Sequence, residues 1–429
     1  KLEERYVIVN QHRRRELVTR LAEEAAAKVG GKPVFDDELV EMVTYLVEYP
    51  TVVCGRFEQE YLTLPREVIM TPMRKQQRYF PVADDAGKLL PYFVAISNMK
   101  AKDMEVIRAG NERVLRARLK DAAFFFKEDR RVQLLDRVPQ LKGITFQERL
   151  GTMLEKVGRL TELTAYLTEQ VAPHLVHDAC RAAQLCKADL VTTMVKEFPS
   201  LQGVMGREYA QLSGEPTVVA QAIEEHYLPR FAGDRLPESL VGALVGLADR
   251  LDTICGCFGI GLIPSGSEDP YALRRLAQGV MQILLSTGID LPLSQQISKS
   301  LELFGDRLTL PRERIAQEVM GFLAARLQAI LMERGVPSDL VEAALSVNVE
   351  RVSDAGKRAE ALAAFRREAD FTELAATFKR VINILPKGFS KSVDPRRFVS
   401  SAERALHSEA TTLRAETEHL VNAGDYVRA

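Results

Sequence analysis

The sequence predicts a multidomain protein with a mixed α+β front and an all-helical remainder. Three observations lead there. The chain has 429 residues, about three times a usual domain length of roughly 150. Short β-rich runs broken by Pro and Gly are confined to residues 51–98. Beyond about Ile144 the apolar residues recur at helical spacing, and no further strand is expected.

Two helices are expected first, over 10–30 and 36–48. In the first, Leu17, Leu21, Ala25 and Val29 recur every fourth residue, and Gly30-Gly31 stops the run. The β-branched and aromatic runs Thr51–Phe57, Gln77–Val82 and Tyr92–Ser97 are candidate strands, with a turn at Asp84-Asp85-Ala86-Gly87 between the last two. The segment Gly110–Phe126 is a strong helix whose apolar stripe is Leu115, Leu119, Ala122 and Phe126. Residues 150–345 are helical, with loops at Phe198–Gly206, Gly233–Pro237 and Ile263–Pro270 and a new helix opening at Ser338 or Asp339. A final block begins near Val349. Its clearest helix places Phe371, Leu374, Ala375, Phe378, Val381, Ile382 and Leu385 on one stripe. Asp370 with Glu373 gives that helix a capping-box-like start, and Pro386 ends it. No period of 20 to 50 residues repeats, which argues against a solenoid.

Composition narrows the classes of function. Apolar residues make up 46% and charged residues 27%, which excludes long disorder and collagen-like repeats. The 58 Lys+Arg nearly cancel the 59 Asp+Glu, leaving a formal charge of -1. Attraction to nucleic acid or an anionic membrane must therefore come from local patches. Trp is absent. The odd set of five cysteines, Cys54, Cys180, Cys186, Cys255 and Cys257, fits a reducing cytoplasm better than a secreted disulfide framework. Cys255-Gly256-Cys257 lacks the second pair that a zinc site needs, so buried thiols beside a glycine are the better reading. No apolar run approaches the roughly 18 to 20 residues of a membrane span. The start, KLEERYVIVN, has neither Met nor a signal-peptide pattern, so the chain is expected to be a fragment.

Five stretches hold candidate chemistry. Arg113, Arg116 and Lys120 fall at i, i+3, i+7 on one face of the 110–126 helix. Cations so spaced follow a phosphate backbone, whereas Glu112 and Asp121 would make the same face a salt-bridged, solvated one. Arg74, Lys75 and Arg78, with Tyr79 and Phe80 alongside, are a second, weaker cluster. In the middle of the chain, metal phosphohydrolases of the HD type offer a comparison. They hold a divalent ion with a His, an adjacent His-Asp and a late Asp, and the ion activates water. Leu185-Cys186-Lys187-Ala188-Asp189-Leu190 resembles the His-Asp helix with Ala188 in the His position. His226 and Asp249 match the later positions, while LGTMLEKVGRL, where the first His belongs, contains none. His177-Asp178 is the one substitute dipeptide. A bundle that lost its metal chemistry, with metal ligands none, is the expectation. CFGIGLIPSGSEDP reads as a loop needing positive φ and close packing at Gly256, Gly259, Gly261 and Gly266, since no GxxxxGK[ST] occurs. In the last block Lys379, Arg380 and Asn383 share a flank, preceded by Arg366 and Arg367. A basic flank bearing an amide suits a single-stranded RNA loop, and equally a solvated helix face.

LVEYPTVVCGRFEQEYLTLPREV, Ile96-Ser97-Asn98 followed by GNERVLRARLKDAAFF, KADLVTTMVKEFPSLQGVMG, EEHYLPRFAGD, ADRLDT, FGIGLIPSGSEDPYALRR and FKRVINIL occur in that order. Together they resemble the β subunits of bacterial heterotetrameric glycyl-tRNA synthetases, over essentially the whole chain. The resemblance implies a noncatalytic, tRNA-binding subunit of a cytoplasmic ligase. Its α partner, in an α2β2 tetramer, holds the class II catalytic core and uses ATP and Mg to attach glycine to tRNA(Gly). No cofactor is then expected in this chain. The implied layout is residues 1–148 similar to part of the phenylalanyl-tRNA synthetase β-like domains, 149–345 an HD-like helical domain, and 346–429 a truncated helical anticodon-binding domain. Ala188, Asp189, His226 and Asp249 become degenerate HD positions. Lys379, Arg380, Asn383, Arg366, Arg367, Arg113, Arg116 and Lys120 become candidates for tRNA contact, and no catalytic residue is carried over. Family members continue on both sides of the chain, which again marks it as a fragment. The alternative is an HD-type metal-dependent phosphohydrolase.

Overall fold

The computed structural model describes residues 2–98, 102–368, 371–384 and 393–428. The protein is mostly helical with a small antiparallel sheet. It divides into two compact units, one built from residues 1–144 and 185–224, the other from 145–184 and 225–429.

The first unit contains a four-stranded sheet. Its strands are β1 (Lys32–Pro33), β2 (Thr51–Arg56), β3 (Phe80–Ala83) and β4 (Leu89–Ser97), all antiparallel and ordered β1-β3-β4-β2. Alternation along β4 decides what each face covers. Val94, with Phe80 and Val82 of β3, packs under the helices Gln11–Ala27 and Asp37–Leu46 through Val18, Ala22, Leu39 and Val43. Phe93 and Ala95, with Val53 of β2, face Leu115 and Leu119 of the long helix Met104–Asp129. Tyr79 stacks on Phe93 at 4.6 Å. Asn10, Asp36 and Asp103 cap the three helices through side-chain oxygens.

Several expectations shift. The buried face of the first helix is Val18, Ala22, Ala25 and Ala26, so Leu17, Leu21 and Val29 sit at its rim. Residues 72–77 wind into a π-helical turn, which delays β3 to Phe80, while β4 starts three residues before Tyr92. Two strands follow Ile144 after all: β5 (Thr145–Gln147) and β6 (Gly151–Thr152) form a hairpin. Elements of two or three residues have no measurable period.

In the second unit the helix Leu240–Gly259 is buried almost throughout. Packed around it are the helices Met153–Val171, Leu273–Thr287, Leu293–Glu302 and Arg312–Glu333. The last of these is long and apolar enough to cross a membrane, which corrects the expectation that nothing in the chain is. Ile315, Val319, Leu323, Leu327 and Ile330 recur at helical spacing on its buried face, so it serves as a core helix. Gly256 and Gly259 belong to the central helix and not to the loop expected there. A Cβ on Gly256 would meet Phe304 at 2.6 Å. Burial pushes the flanking thiols up, Cys255 to about 12 and Cys257 to about 11, which makes both inert. The helices Ser338–Val347 and Val352–Phe365 pair with one another. Phe371–Ile384 and Ser401–Asn422 follow, the former with no fully buried residue. Asp370, Leu385 and Pro386, expected to bound that helix, lie outside the described residues.

Candidate functional site

Where an HD enzyme would need its first histidine, the second unit places cations. Helix Met153–Val171 starts with a capping box made by Thr152 and Glu155. Its inward face carries Lys156 and Arg159 among Val157, Leu160, Leu163 and Leu167. Opposite them, the central helix presents Asp249, Asp252 and Thr253. The Lys156 Nζ lies 2.9 Å from Asp249 Oδ1 and 2.9 Å from Asp252 Oδ2. It also donates to Thr253 Oγ1 at 2.8 Å and sits 4.4 Å from the centre of the Phe146 ring. Arg159 grips the same Asp252 with Nε at 2.6 Å and Nη2 at 3.2 Å, its guanidinium over Phe304. Two positive and two negative side chains thus neutralise one another in the interior. The ammonium occupies the point between the carboxylates that a bound cation would need, and a divalent ion brought there would meet it at close range.

His226 is fully buried, its Nε2 3.9 Å from Asp249 Oδ2. The structure therefore brings together two of the degenerate positions, His226 and Asp249. Next to Asp249 in sequence, Arg250 ties down the 226–229 segment. It donates to the carbonyls of His226 (2.8 Å), Tyr227 (3.1 Å), Leu228 (2.6 Å) and Pro229 (3.2 Å), and to Gly246 in its own helix (2.9 Å). Burial lowers this guanidinium to about 10, with Asp249 pulling the other way. Glu225 accepts from the amides of Glu238 and Ser239 at the start of the central helix.

Asp189 and Ala188 belong to the first unit. The helix Val176–Leu185 ends before them, and they form a 3-10 turn, Ala188–Val191, in place of the His-Asp helix expected. Both are fully buried. Asp189 Oδ2 accepts from the Gly203 and Gly206 amides at 2.6 and 3.1 Å, while Oδ1 has no hydrogen-bond partner among the described residues. Burial pushes the carboxyl up to about 6, against the pull of those amides and of Lys187. Gly206 permits this approach, because a Cβ there would crowd Asp189 Oδ2 at 3.2 Å and also meet Ile223 at 2.6 Å. Asp129, in the last turn of Met104–Asp129, is another buried acid of this unit. It accepts from the amides of Thr193 (3.0 Å) and Met194 (2.9 Å), opening the helix Thr193–Glu197, and from the Tyr209 hydroxyl (3.1 Å). Tyr209 is held well above its ordinary range by burial and by this carboxylate. His177 and Asp178 contact one another in the first turn of Val176–Leu185, the imidazole 90% exposed.

The basic candidates lie on surfaces. Arg113, Arg116 and Lys120 are exposed, and Arg116 pairs with Glu58 where Asp121 or Glu112 was the expected partner. Glu112 instead accepts from the Arg56 amide at 3.0 Å. In the second unit Lys379, Arg380 and Asn383 are exposed on Phe371–Ile384, and Arg367, in the turn after Val352–Phe365, is exposed as well. Arg366 makes a two-pronged bond to Asp339 at 2.8 and 2.7 Å. Arg74 lies 3.5 Å from Asp36, and Lys75 is 3.3 Å from Glu38, so that cluster is largely neutralised. Among the described residues no group of three or more His, Cys, Asp and Glu has the geometry of a metal site. Sequence reasoning missed Lys156, Arg159 and Asp129. The signal for the first two was available: ionisable residues falling on the apolar arc of one helix, with Asp249 and Asp252 at i, i+3 on another.

Residues 1–346 match the family described as glycyl-tRNA synthetase beta subunit. The chain belongs to that family. Over 427 residues, spanning the whole chain, it is 48% identical to the glycine–tRNA ligase beta subunits of Syntrophotalea carbinolica and Geobacter sulfurreducens, and 47% identical to that of Trichlorobacter lovleyi. It spans 62% of the length of each.

Proposed function

We propose that the chain is the tRNA-handling, noncatalytic part of a glycyl-tRNA synthetase β subunit. It would support attachment of glycine to tRNA(Gly) by an α subunit that holds the class II active site and uses ATP and Mg, in an α2β2 assembly. The observation that carries this reading is the near-half identity to glycine–tRNA ligase beta subunits along the whole chain. In this reading residues 1–148 correspond to the phenylalanyl-tRNA synthetase β-like region, 149–345 to the HD-like domain and 346–429 to part of the anticodon-binding domain. Lys379, Arg380 and Asn383 are exposed on one helix and suit an RNA loop, and Arg367, before that helix, is exposed too. Five free cysteines suit the cytoplasm, where such a ligase works.

An HD hydrolase gains no support. Ala188 has no ligand atom, and Lys156 neutralises the carboxylates that would hold an ion. Reconstitution is the test. The α subunit together with a full-length β subunit containing this chain charges tRNA(Gly), and neither subunit alone does so. Equal charging by α alone would overturn the proposal, as would a stoichiometric metal with phosphatase activity lost on Asp189→Ala.

A further inference from the structure

We propose that the exposed face of Met104–Asp129 is a rail for RNA phosphates with one built-in stacking ring, Phe124. This rests on the tRNA reading above and adds a place where the RNA lies. Arg113, Arg116, Lys120, Phe124 and Lys127 fall at i, i+3, i+7, i+11 and i+14. At 100° per residue they share an arc of about 80°, and at 1.5 Å rise they extend over about 21 Å. No acid falls inside that arc. Glu112, Asp121 and Glu128 lie on its flanks. Arg116 is held by Glu58, while Arg113, Lys120 and Lys127 make no ion pair among the described residues.

The opposite arc, Leu115, Leu119, Ala122 and Phe126, is buried. The helix is therefore a rigid mount, and its apolar face is not free to enter a lipid surface. Phe124 stands at one edge of the polar arc, between Lys120 and Lys127 along the axis, and is 59% exposed, with an edge contact to Phe125 as its one ring partner among the described residues. A ring in a row of cations is the pairing that single-stranded RNA uses, phosphates on the cations and a base on the ring. The formal charge of the chain is only -1, so a single-sign stripe of this length is a local field and not part of a general positive surface.

The test uses the whole chain and transcribed tRNA(Gly). The sequence has no Trp, so Phe124→Trp provides a single indole whose emission a stacked base quenches. Saturable quenching is expected. Changing Arg113, Lys120 and Lys127 together to Gln removes three cations that have no pairing role. The slope of log K against log salt is then expected to fall by about 2 to 3. The corresponding affinity loss is about 100-fold or more at 0.1 M salt and vanishes near 1 M. Phe124→Ala is expected to weaken binding about 5- to 100-fold with little change of slope. An unchanged melting temperature in each variant confirms folding, since all four side chains are exposed. If the unaltered chain binds tRNA and the triple variant keeps its slope, the rail is wrong and the tRNA reading stands. Binding without quenching in Phe124→Trp removes the stacking ring. Failure of the unaltered chain to bind at low salt overturns the tRNA reading and the rail with it.

Discussion

Replacing Lys156 by Met is the sharpest test of the buried charge cluster. Methionine keeps the length of the stem and its packing but removes the ammonium. In the native cluster Lys156 and Arg159 balance Asp249 and Asp252. After the change one charge of -1 remains uncompensated within these four groups, and Asp249 loses its 2.9 Å ammonium. Breaking a buried pair from one side costs about 3 to 5 kcal/mol. Asp249 keeps 15% of its side-chain surface in water, which favours the lower end. A loss of about 3 kcal/mol is therefore expected. It would be read by urea unfolding and by hydrogen exchange at the amides of Leu240–Gly259. The loss has a pH signature. An uncompensated carboxylate has its folded pKa raised, so the penalty is present above that raised value and fades as pH falls toward the unfolded value of about 3.9. Adding Asp249→Asn restores neutrality, so the double variant should lose less than the sum of the singles by at least about 1 kcal/mol. A loss under about 0.5 kcal/mol, independent of pH and strictly additive with Asp249→Asn, would refute the reasoning.

Arg250→Ala should cost about 3 kcal/mol, because it strands buried carbonyls of residues 226–229. Arg250→Lys should recover little, since a single ammonium has three donors and no fork. Faster hydrogen exchange confined to 226–229 and the central helix would show this, and full rescue by Lys would contradict it. Asp189 gives the second pH effect. Its folded value of about 6 exceeds its ordinary 3.8, so the ionised group destabilises the first unit above pH 6 and is harmless below pH 4. The stability of Asp189→Asn relative to the native chain should rise by about 3 kcal/mol between pH 4 and 7, from 1.36 kcal/mol per unit. Thermal melts across that range check it, and a flat difference would count against a buried, strained carboxylate.

Local pattern predicted much of the architecture. Leu115, Leu119, Ala122 and Phe126 are spaced for a helix with one apolar face, and all four are buried. The three candidate strands occur with shifted ends, because turn chemistry, here a π-helical turn at 72–77, is written in no periodicity. The stripe from Phe371 to Ile382 shows the converse. It is strongly periodic, yet Leu374, Phe378, Val381 and Ile382 are all exposed. Periodicity specifies that a face exists and not what covers it. The buried charge cluster was not read because Lys156 and Asp252 are 96 residues apart, and one sequence carries no record of such pairing. That LGTMLEKVGRL contains no histidine was legible, whereas the pairing of its Lys156 and Arg159 with buried carboxylates was not.

Asp129 has a consequence in time. The chain delivers it 64 residues before the Thr193 amide and 80 before the Tyr209 hydroxyl. Between them it must synthesise 145–184, which belong to the other unit. At 5 to 20 residues per second, the carboxylate waits roughly 3 to 16 s on the ribosome for its partners. Closing a 40-residue excursion then costs on the order of 3 kcal/mol of chain entropy. During that interval the sheet and its two flanking helices can form, but the end of Met104–Asp129 cannot be sealed. Nascent chains arrested before residue 193 should expose this seam to proteases and chaperones, and those arrested well after residue 209 should not.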